Sequence, residues 1–299
     1  MHHSTHPGTS AALSRRQFLR NSGLLTVAVA ISGPLAACRS SIDDTLSRAQ
    51  QQGFIRVGFA NEPPYGHVGD EGTLTGVGPE LARVVFGELG IPEIDGVLTP
   101  FGALIDRLQQ GSFDIIAAGM FVTPGRCQQV IFTDPYFCVE QAFLVAYGNP
   151  HDIDTYTDIA SDPSLTLGVV TGAVEVAQAV DSGVPETQII RVDNPNDLLA
   201  NLQAGRIDAG ALSTVSLASL AQADALDGFE TTEPFAYQGQ LGCGAFAFRQ
   251  GDTRLRDEFN QTLHRLGTNG IADQVLKPFG FSDASAAASG VTAQQICHG

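Results

Sequence analysis

The chain has 299 residues but no tryptophan, only two methionines and a single lysine, Lys277. Basic residues are scarce. Lys and Arg total 16 against 32 Asp and Glu, a net charge of −16 with a pI near 4.6. That balance argues against a nucleic-acid partner, since phosphate binding needs a clustered basic surface. The motifs of common catalysis are missing as well: there is no G-x-S-x-G elbow, H-E-x-x-H, P-loop or G-x-G-x-x-G after a strand. The five cysteines form no C-x-x-C and no Cys/His pair at ligand spacing, so neither a metal nor any other cofactor is expected.

What is present begins with a leader. Ser14-Arg15-Arg16-Gln17-Phe18-Leu19-Arg20 resembles the twin-arginine export motif, and Gly23 to Ala37 is a short apolar stretch, too short to span a membrane comfortably. It ends in Leu35-Ala36-Ala37-Cys38, which resembles a lipobox. Residues 1–37 therefore read as a cleaved signal peptide, with Cys38 as the lipidated N-terminus of an extracytoplasmic, membrane-anchored protein. The mature chain would carry 13 basic against 32 acidic residues, a net of −19. Cys127, Cys138, Cys243 and Cys297 remain, an even number that suits an oxidising compartment and leaves three pairings open.

Strand and helix patterns alternate along the rest, which predicts an α/β fold. Strands are expected at Phe54 to Ala60, Phe113 to Ala118, Leu165 to Val170, Ile189 to Val192, Asp208 to Leu212 and Gly244 to Phe248. Pro79 to Leu89 has helical apolar spacing, with Pro79 at its first position and Gly90 closing it. An internal echo points to two similar lobes. LIDRLQQGSFDIIAAG, Leu104 to Gly119, matches LLANLQAGRIDAGALS, Leu198 to Ser213, as a helix, a glycine cap and a buried strand opened by Asp114 or Asp208. Lobe 1 is expected from residues 38–140 and 244–299, with the tail after Phe281 loosely held, and lobe 2 from residues 141–243. Gln141 to Tyr147 and Cys243 to Phe248 would form the two-strand hinge.

Ligands of open α/β sheets sit beyond the carboxyl ends of the strands, which places a site between the lobes. In GMFVTPGRCQQVIFTDPY, Gly119 to Tyr136, Thr123 reads as a helix cap and Pro124 as a first-turn proline, so that Arg126 stands at a helix start. A guanidinium there suits a carboxylate. Thr171-Gly172-Ala173 opens a second helix toward the same cleft. Asp114, Asp208 and Asp134 read as structural.

The lipobox, ANEPPY (Ala60 to Tyr65), LTGVGPELA (Leu74 to Ala82), GMFVTPGR, FTDPY and GAFAFRQGDTRLRDEFN (Gly244 to Asn260) together resemble the solute-binding proteins of polar amino-acid ABC importers. NEPPY, GVLTPFG (Gly96 to Gly102), IAAGMFVTPGRCQQV and TGAVEV (Thr171 to Val176) are most similar to the ectoine/hydroxyectoine-binding branch. The resemblance spans nearly the whole mature chain and implies a periplasmic-binding-protein-like type II fold. Two departures from the amino-acid pattern matter. Phe121 stands where a small hydroxyl residue is usual, and Ser213 where an aspartate for the α-ammonium is expected.

For a cyclic amidinium carboxylate, the resemblance implies Arg126 for the carboxylate, Glu62 for ring N–H groups, and Tyr65, Phe101 and Phe121 as aromatic faces. Thr171, Ala173 and Val174 would line the second lobe's side. The implied partners are ectoine, hydroxyectoine or a polar amino acid, the permease subunits of an ABC transporter, and the membrane through the lipid anchor. The protein is expected to be a monomer and not an enzyme. A lyase on this fold, using Glu62 or Glu175 as a base, is the alternative from another class.

Overall fold

The computed structural model describes residues 44–69, 72–223 and 226–298. The signal peptide and Cys38 lie outside the described residues. The first lobe opens with α1 (Thr45–Gln52), β1 (Phe54–Phe59), α2 (Val77–Glu88), β2 (Glu93–Leu98) and α3 (Leu104–Gln109). It continues with β3 (Ile115–Ile116), the four-residue helix α4 (Pro124–Cys127), β4 (Val130–Phe132) and β5 (Phe137–Val139). The second lobe holds β6 (Gln141–Ala146), α5 (Tyr156–Ser161), β7 (Leu167–Val170), α6 (Val174–Asp181) and β8 (Ile189–Val192). It closes with α7 (Pro195–Gln203), β9 (Ala209–Ser213), α8 (Thr214–Gln222) and β10 (Phe229–Thr231). The chain then returns through β11 (Gly242–Gly244) and β12 (Ala247–Arg249) to α9 (Thr253–Thr268), α10 (Ile271–Leu276), α11 (Ser282–Ala287) and α12 (Ala293–His298).

The two five-stranded sheets share one plan. Their orders are β2-β1-β3-β12-β4 and β8-β7-β9-β6-β10. In each, three parallel strands are followed by an antiparallel one and then an edge strand. The central parallel strands are covered on both faces, which is why β7 (LGVV) and β9 (AGALS) are buried throughout. β2 (EIDGVL) is an edge strand with no fully buried residue, and its polar composition hides it from a reading of apolar runs.

The two crossings differ from the sequence expectation. β6 lies inside the second sheet and β12 inside the first, while the strands that pair between the lobes are β5 and β11. Cys138 and Cys243 face each other in that ladder and are joined by a disulfide; Cys127 and Cys297 form the second. Helix α2 also starts earlier than expected, at Val77 behind Gly76, so Pro79 is its third residue; the first turn of a helix lacks internal N–H partners and accepts proline there.

The internal echo is a structural one. The Asp114 N–H donates to the Arg56 carbonyl at 2.9 Å, and the Arg56 N–H donates back to the Asp114 carboxylate at 3.3 Å. Asp208 makes the same reciprocal pair with Thr166, at 2.9 and 2.8 Å. Each aspartate thus registers the strand it precedes against its parallel neighbour. The lobes differ in what surrounds the carboxylate. Asp114 is buried and receives Arg48, Arg56 and Arg249. Burial alone would raise its pKa, but the hydrogen bonds from Arg56 and Arg249 and the charges of Arg56 and Arg48 hold it below the usual carboxylate value.

Three large apolar clusters and a small fourth one around Cys138, Cys243 and Ala288 fill the described structure. One packs α2 and α9 on the first sheet, with Phe86 and Phe259 edge to face at 5.0 Å, and another packs α5 and α6 on the second. The third runs from Phe113, Ile116 and Met120 of lobe 1 into Val170, Leu198 and Leu212 of lobe 2, so the lobes are in contact. Among the described residues, no helix is long and apolar enough to cross a membrane.

The aspartate pair gives a graded expectation for stability. Asp114→Ala strands three arginines around a buried site and is expected to cost about 3–5 kcal/mol. Asp208→Ala removes hydrogen bonds from a more exposed carboxylate and is expected to cost about 0.5–2 kcal/mol. Urea denaturation of both variants checks the order, and equal losses would remove the three-arginine cluster from the account.

Candidate functional site

The functional candidates converge at the carboxyl ends of the parallel strands. β1 delivers Glu62 and Tyr65, β2 delivers Phe101 and β3 delivers Phe121 and Arg126 from one lobe; β7 delivers Ala173, Val174 and Glu175 and β9 ends at Ser213 from the other. All of these line one cavity, which encloses about 410 Å³ of empty space including its mouth.

Arg126 is held as the sequence suggests. The Thr123 hydroxyl caps α4 by accepting the Arg126 N–H at 3.3 Å, and Pro124 occupies the first turn. The guanidinium donates to the Phe121 carbonyl at 2.6 Å and, across the cleft, to the Gly172 carbonyl at 2.8 Å. Its carbon lies 5.6 Å from the centre of the Phe101 ring, within cation–π range. Burial pulls its pKa down to about 10, opposed by the charge of Glu175, so the group stays charged at neutral pH.

Two of the three aromatic residues have a common support. Tyr65 and Phe121 pack against Phe137 of β5, with centroids at 5.3 and 6.0 Å, so the ring at the hinge sets the rings in the cavity. Gly119 makes room for Tyr65: it sits at φ +63°, and a Cβ there would meet the tyrosine ring at 2.2 Å.

A hydrogen-bonded chain crosses between the lobes. The Tyr65 hydroxyl donates to Ser213 Oγ at 2.9 Å, Ser213 Oγ to Ser216 Oγ at 3.0 Å, and Ser216 Oγ to Glu62 Oε1 at 2.8 Å. Gly172, at φ +79°, approaches Gly102 so closely that a Cβ would lie 2.6 Å from the Gly102 Cα. The lobes therefore meet backbone to backbone at one end of the cleft and through hydroxyls at the other. This is a closed arrangement.

Two carboxylates share the cavity with one guanidinium. Burial pushes the Glu62 pKa up to about 7, the Ser216 hydrogen bond lowers it and the charge of Glu175 raises it. Glu175, buried in the first turn of α6, is also raised, chiefly by burial, against its own backbone hydrogen bond and the charge of Arg126. A cavity with this composition can grip a carboxylate at Arg126 and offer acceptors and ring faces to a cationic or N–H-bearing group.

Of the sequence candidates, Glu62, Tyr65, Phe101, Phe121, Arg126, Ala173 and Val174 line the cavity. Thr171 stands apart. Its hydroxyl and N–H both donate to the Val192 carbonyl, at 3.0 and 2.8 Å, and fix the loop instead of facing the cavity. Two residues of the site are missing from the sequence reading and a third has a different role in it. Glu175 enters it only as a possible base, since a glutamate in a first helical turn ordinarily faces solvent. Ser216 and Phe137 carry no signal of their own; their roles come from packing.

A model of the bacterial extracellular solute-binding proteins, family 3, matches residues 55–283. A probable amino-acid ABC transporter periplasmic-binding protein of Sinorhizobium fredii is 33% identical over 297 residues, covering 97% of each chain. The crystal structure of EhuB in complex with hydroxyectoine is 35% identical, with a TM-score of 0.80, over 85% of this chain and 97% of that one. The ancestral amino acid-binding protein AncCDT-1, a precursor of cyclohexadienyl dehydratase, is 27% identical with a TM-score of 0.70, over 79% of this chain and 99% of that one.

The site carries a pH signature. Folding takes up a proton at Glu62 between its ordinary value of 4.5 and its folded value of about 7. A carboxyl group with a raised pKa makes the folded state less stable as pH climbs through that window. Thermal midpoints of the ligand-free protein are therefore expected to show a smaller decline between these pH values in Glu62→Gln than in the parent. An unchanged decline would assign it to Glu175.

Proposed function

Since this chain belongs to the bacterial extracellular solute-binding proteins, family 3, we propose that it captures ectoine or hydroxyectoine and presents it to an ABC importer. The observation that carries this reading is the meeting of Tyr65, Phe101 and Phe121 with Arg126 and Glu62 in one cavity, opposite a serine at position 213. Arg126 grips the carboxylate, Glu62 accepts the ring N–H groups, and the aromatic faces take the delocalised cation, each contact contributing about 0.5–2 kcal/mol. Ala173 and Val174 form the wall from lobe 2, and Thr171 shapes the loop that carries them. The hydroxyectoine complex of EhuB supports this ligand class.

The mechanism is closure about the paired β5 and β11. The ligand binds the closed state better than the open one, and the permease reads the closed form. In our reading residues 141–243 make the closing lobe, and residues 38–140 with 244–299 make the lobe anchored through lipidated Cys38. The receptor acts as a monomer and returns its ligand unaltered.

A polar amino acid is the second reading. Glu175 favours it, because this buried carboxylate reaches the cavity from lobe 2 where an α-ammonium group would need a partner.

Titration calorimetry on the chain without residues 1–37, with Cys38 replaced, separates the two. Heat with ectoine or hydroxyectoine and none with glutamine, arginine or histidine is expected; the reverse would overturn the ligand assignment. Arg126→Ala is expected to abolish binding, and Phe121→Ala to weaken ectoine more than Ser213→Ala does. Ligand recovered unchanged after long incubation is the expected sign of a binder; turnover lost in Glu62→Gln would make the protein an enzyme.

A further inference from the structure

The residue next to the guanidinium clamp is covalently tied to the end of the chain. Arg126 sits on α4, and four residues make too short a helix to hold itself together. Its local support is the Thr123 cap at 3.3 Å, the Cys127 N–H donated to the Thr123 carbonyl at 3.0 Å and the Gln129 side-chain amide donated to the Gly125 carbonyl at 3.4 Å. One residue further, Cys127 is bonded to Cys297 on α12, 170 residues away.

Far from the loose extension that composition suggests, α12 is seated on lobe 1. Ala293 is buried, and its N–H donates to Asp134 Oδ1 at 2.9 Å. The other Asp134 oxygen accepts from Asn260 at 3.0 Å and lies 2.8 Å from His264 Nε2, both residues of α9. Asp134 is the turn residue of FTDPY, and it works here as the seat of the tail. Val291 and Ile296 pack against the small cluster formed by the hinge cysteines Cys138 and Cys243 with Ala288. A path of firm contacts thus runs from α9 through Asp134 and α12 to Cys127 and the clamp.

We propose that the Cys127–Cys297 disulfide is a positioning element for Arg126, and that the docked C-terminal helix is the brace that holds the guanidinium in its gripping orientation. The inference rests on the reading of Arg126 as the carboxylate grip, and on no particular ligand. Cys127 and Cys297 do not line the cavity; they act through the residue beside them.

A double-mutant cycle tests this. Cys127→Ser/Cys297→Ser is expected to weaken ectoine about tenfold in the Arg126 background, the loss of one charge-assisted hydrogen bond, and to add nothing in an Arg126→Lys background. Equal weakening in both backgrounds, or a lower melting temperature with an unchanged Kd, would overturn the proposal. Should the variant fail to fold, dithiothreitol on the parent chain serves instead. It reaches the half-buried Cys127–Cys297 bond before Cys138 and Cys243, which are 3% and 8% exposed. Hydrogen exchange adds an arm that needs no ligand: residues 123–128 are expected to exchange faster once the bond is lost, with residues 167–181 unchanged. Uniform acceleration, or none, would overturn the brace even if the ligand proves to be an amino acid.

Discussion

Taking a guanidinium and two carboxylates out of water between two lobes is the constraint around which this structure is arranged. An ion in a low-dielectric gap must be partnered, neutralised or left at a cost of several kcal/mol. Arg126 meets that condition with two carbonyls, one from each lobe. Glu62 meets it with a serine from the opposite lobe. Closure and charge satisfaction are thus linked, since the Gly172 carbonyl and Ser216 reach these groups only when the lobes meet. Glu175 is offset by its own backbone hydrogen bond and the charge of Arg126, and it lines the space a ligand would fill.

The scaffold that supplies these partners is one plan used twice. Asp114 and Asp208 register equivalent strand pairs, and the loops after those strands deliver Phe121 and Arg126 on one side and Ser213 on the other. The lobes have diverged in how they protect the aspartate: three arginines surround the first, while the second bonds to Thr166 alone among close partners and lies 3.9 Å from His151. Strength is concentrated in the lobe that carries both chain ends of the described structure and the clamp.

Much of this is legible in the sequence because it depends on local chemistry. The Thr123 cap, Pro124, the two echoing aspartates and the buried apolar strands are each specified by a few adjacent residues, and the structure places them as expected. The cavity residues follow from the rule that ligands sit beyond strand ends, applied to the ends of five strands. What stays hidden depends on partners distant in sequence. The edge strand Glu93–Leu98 has no apolar run to show, the cysteine pairing has no local signature, and the tail is ordered by Asp134 rather than by its own composition. The crossings are misplaced by several residues for a related reason: β6 is as apolar as a hinge strand but is claimed by the second sheet.

The paired crossings have one mechanical consequence. Two separate strands between bodies could slide past each other or twist independently, giving the lobes several ways to move. Here the strands are hydrogen-bonded antiparallel and joined covalently at facing residues, Cys138 and Cys243. The link forms a closed loop of chain that forbids sliding, so the lobes are left with rotation about one shared line, and the cleft has a single coordinate along which to open.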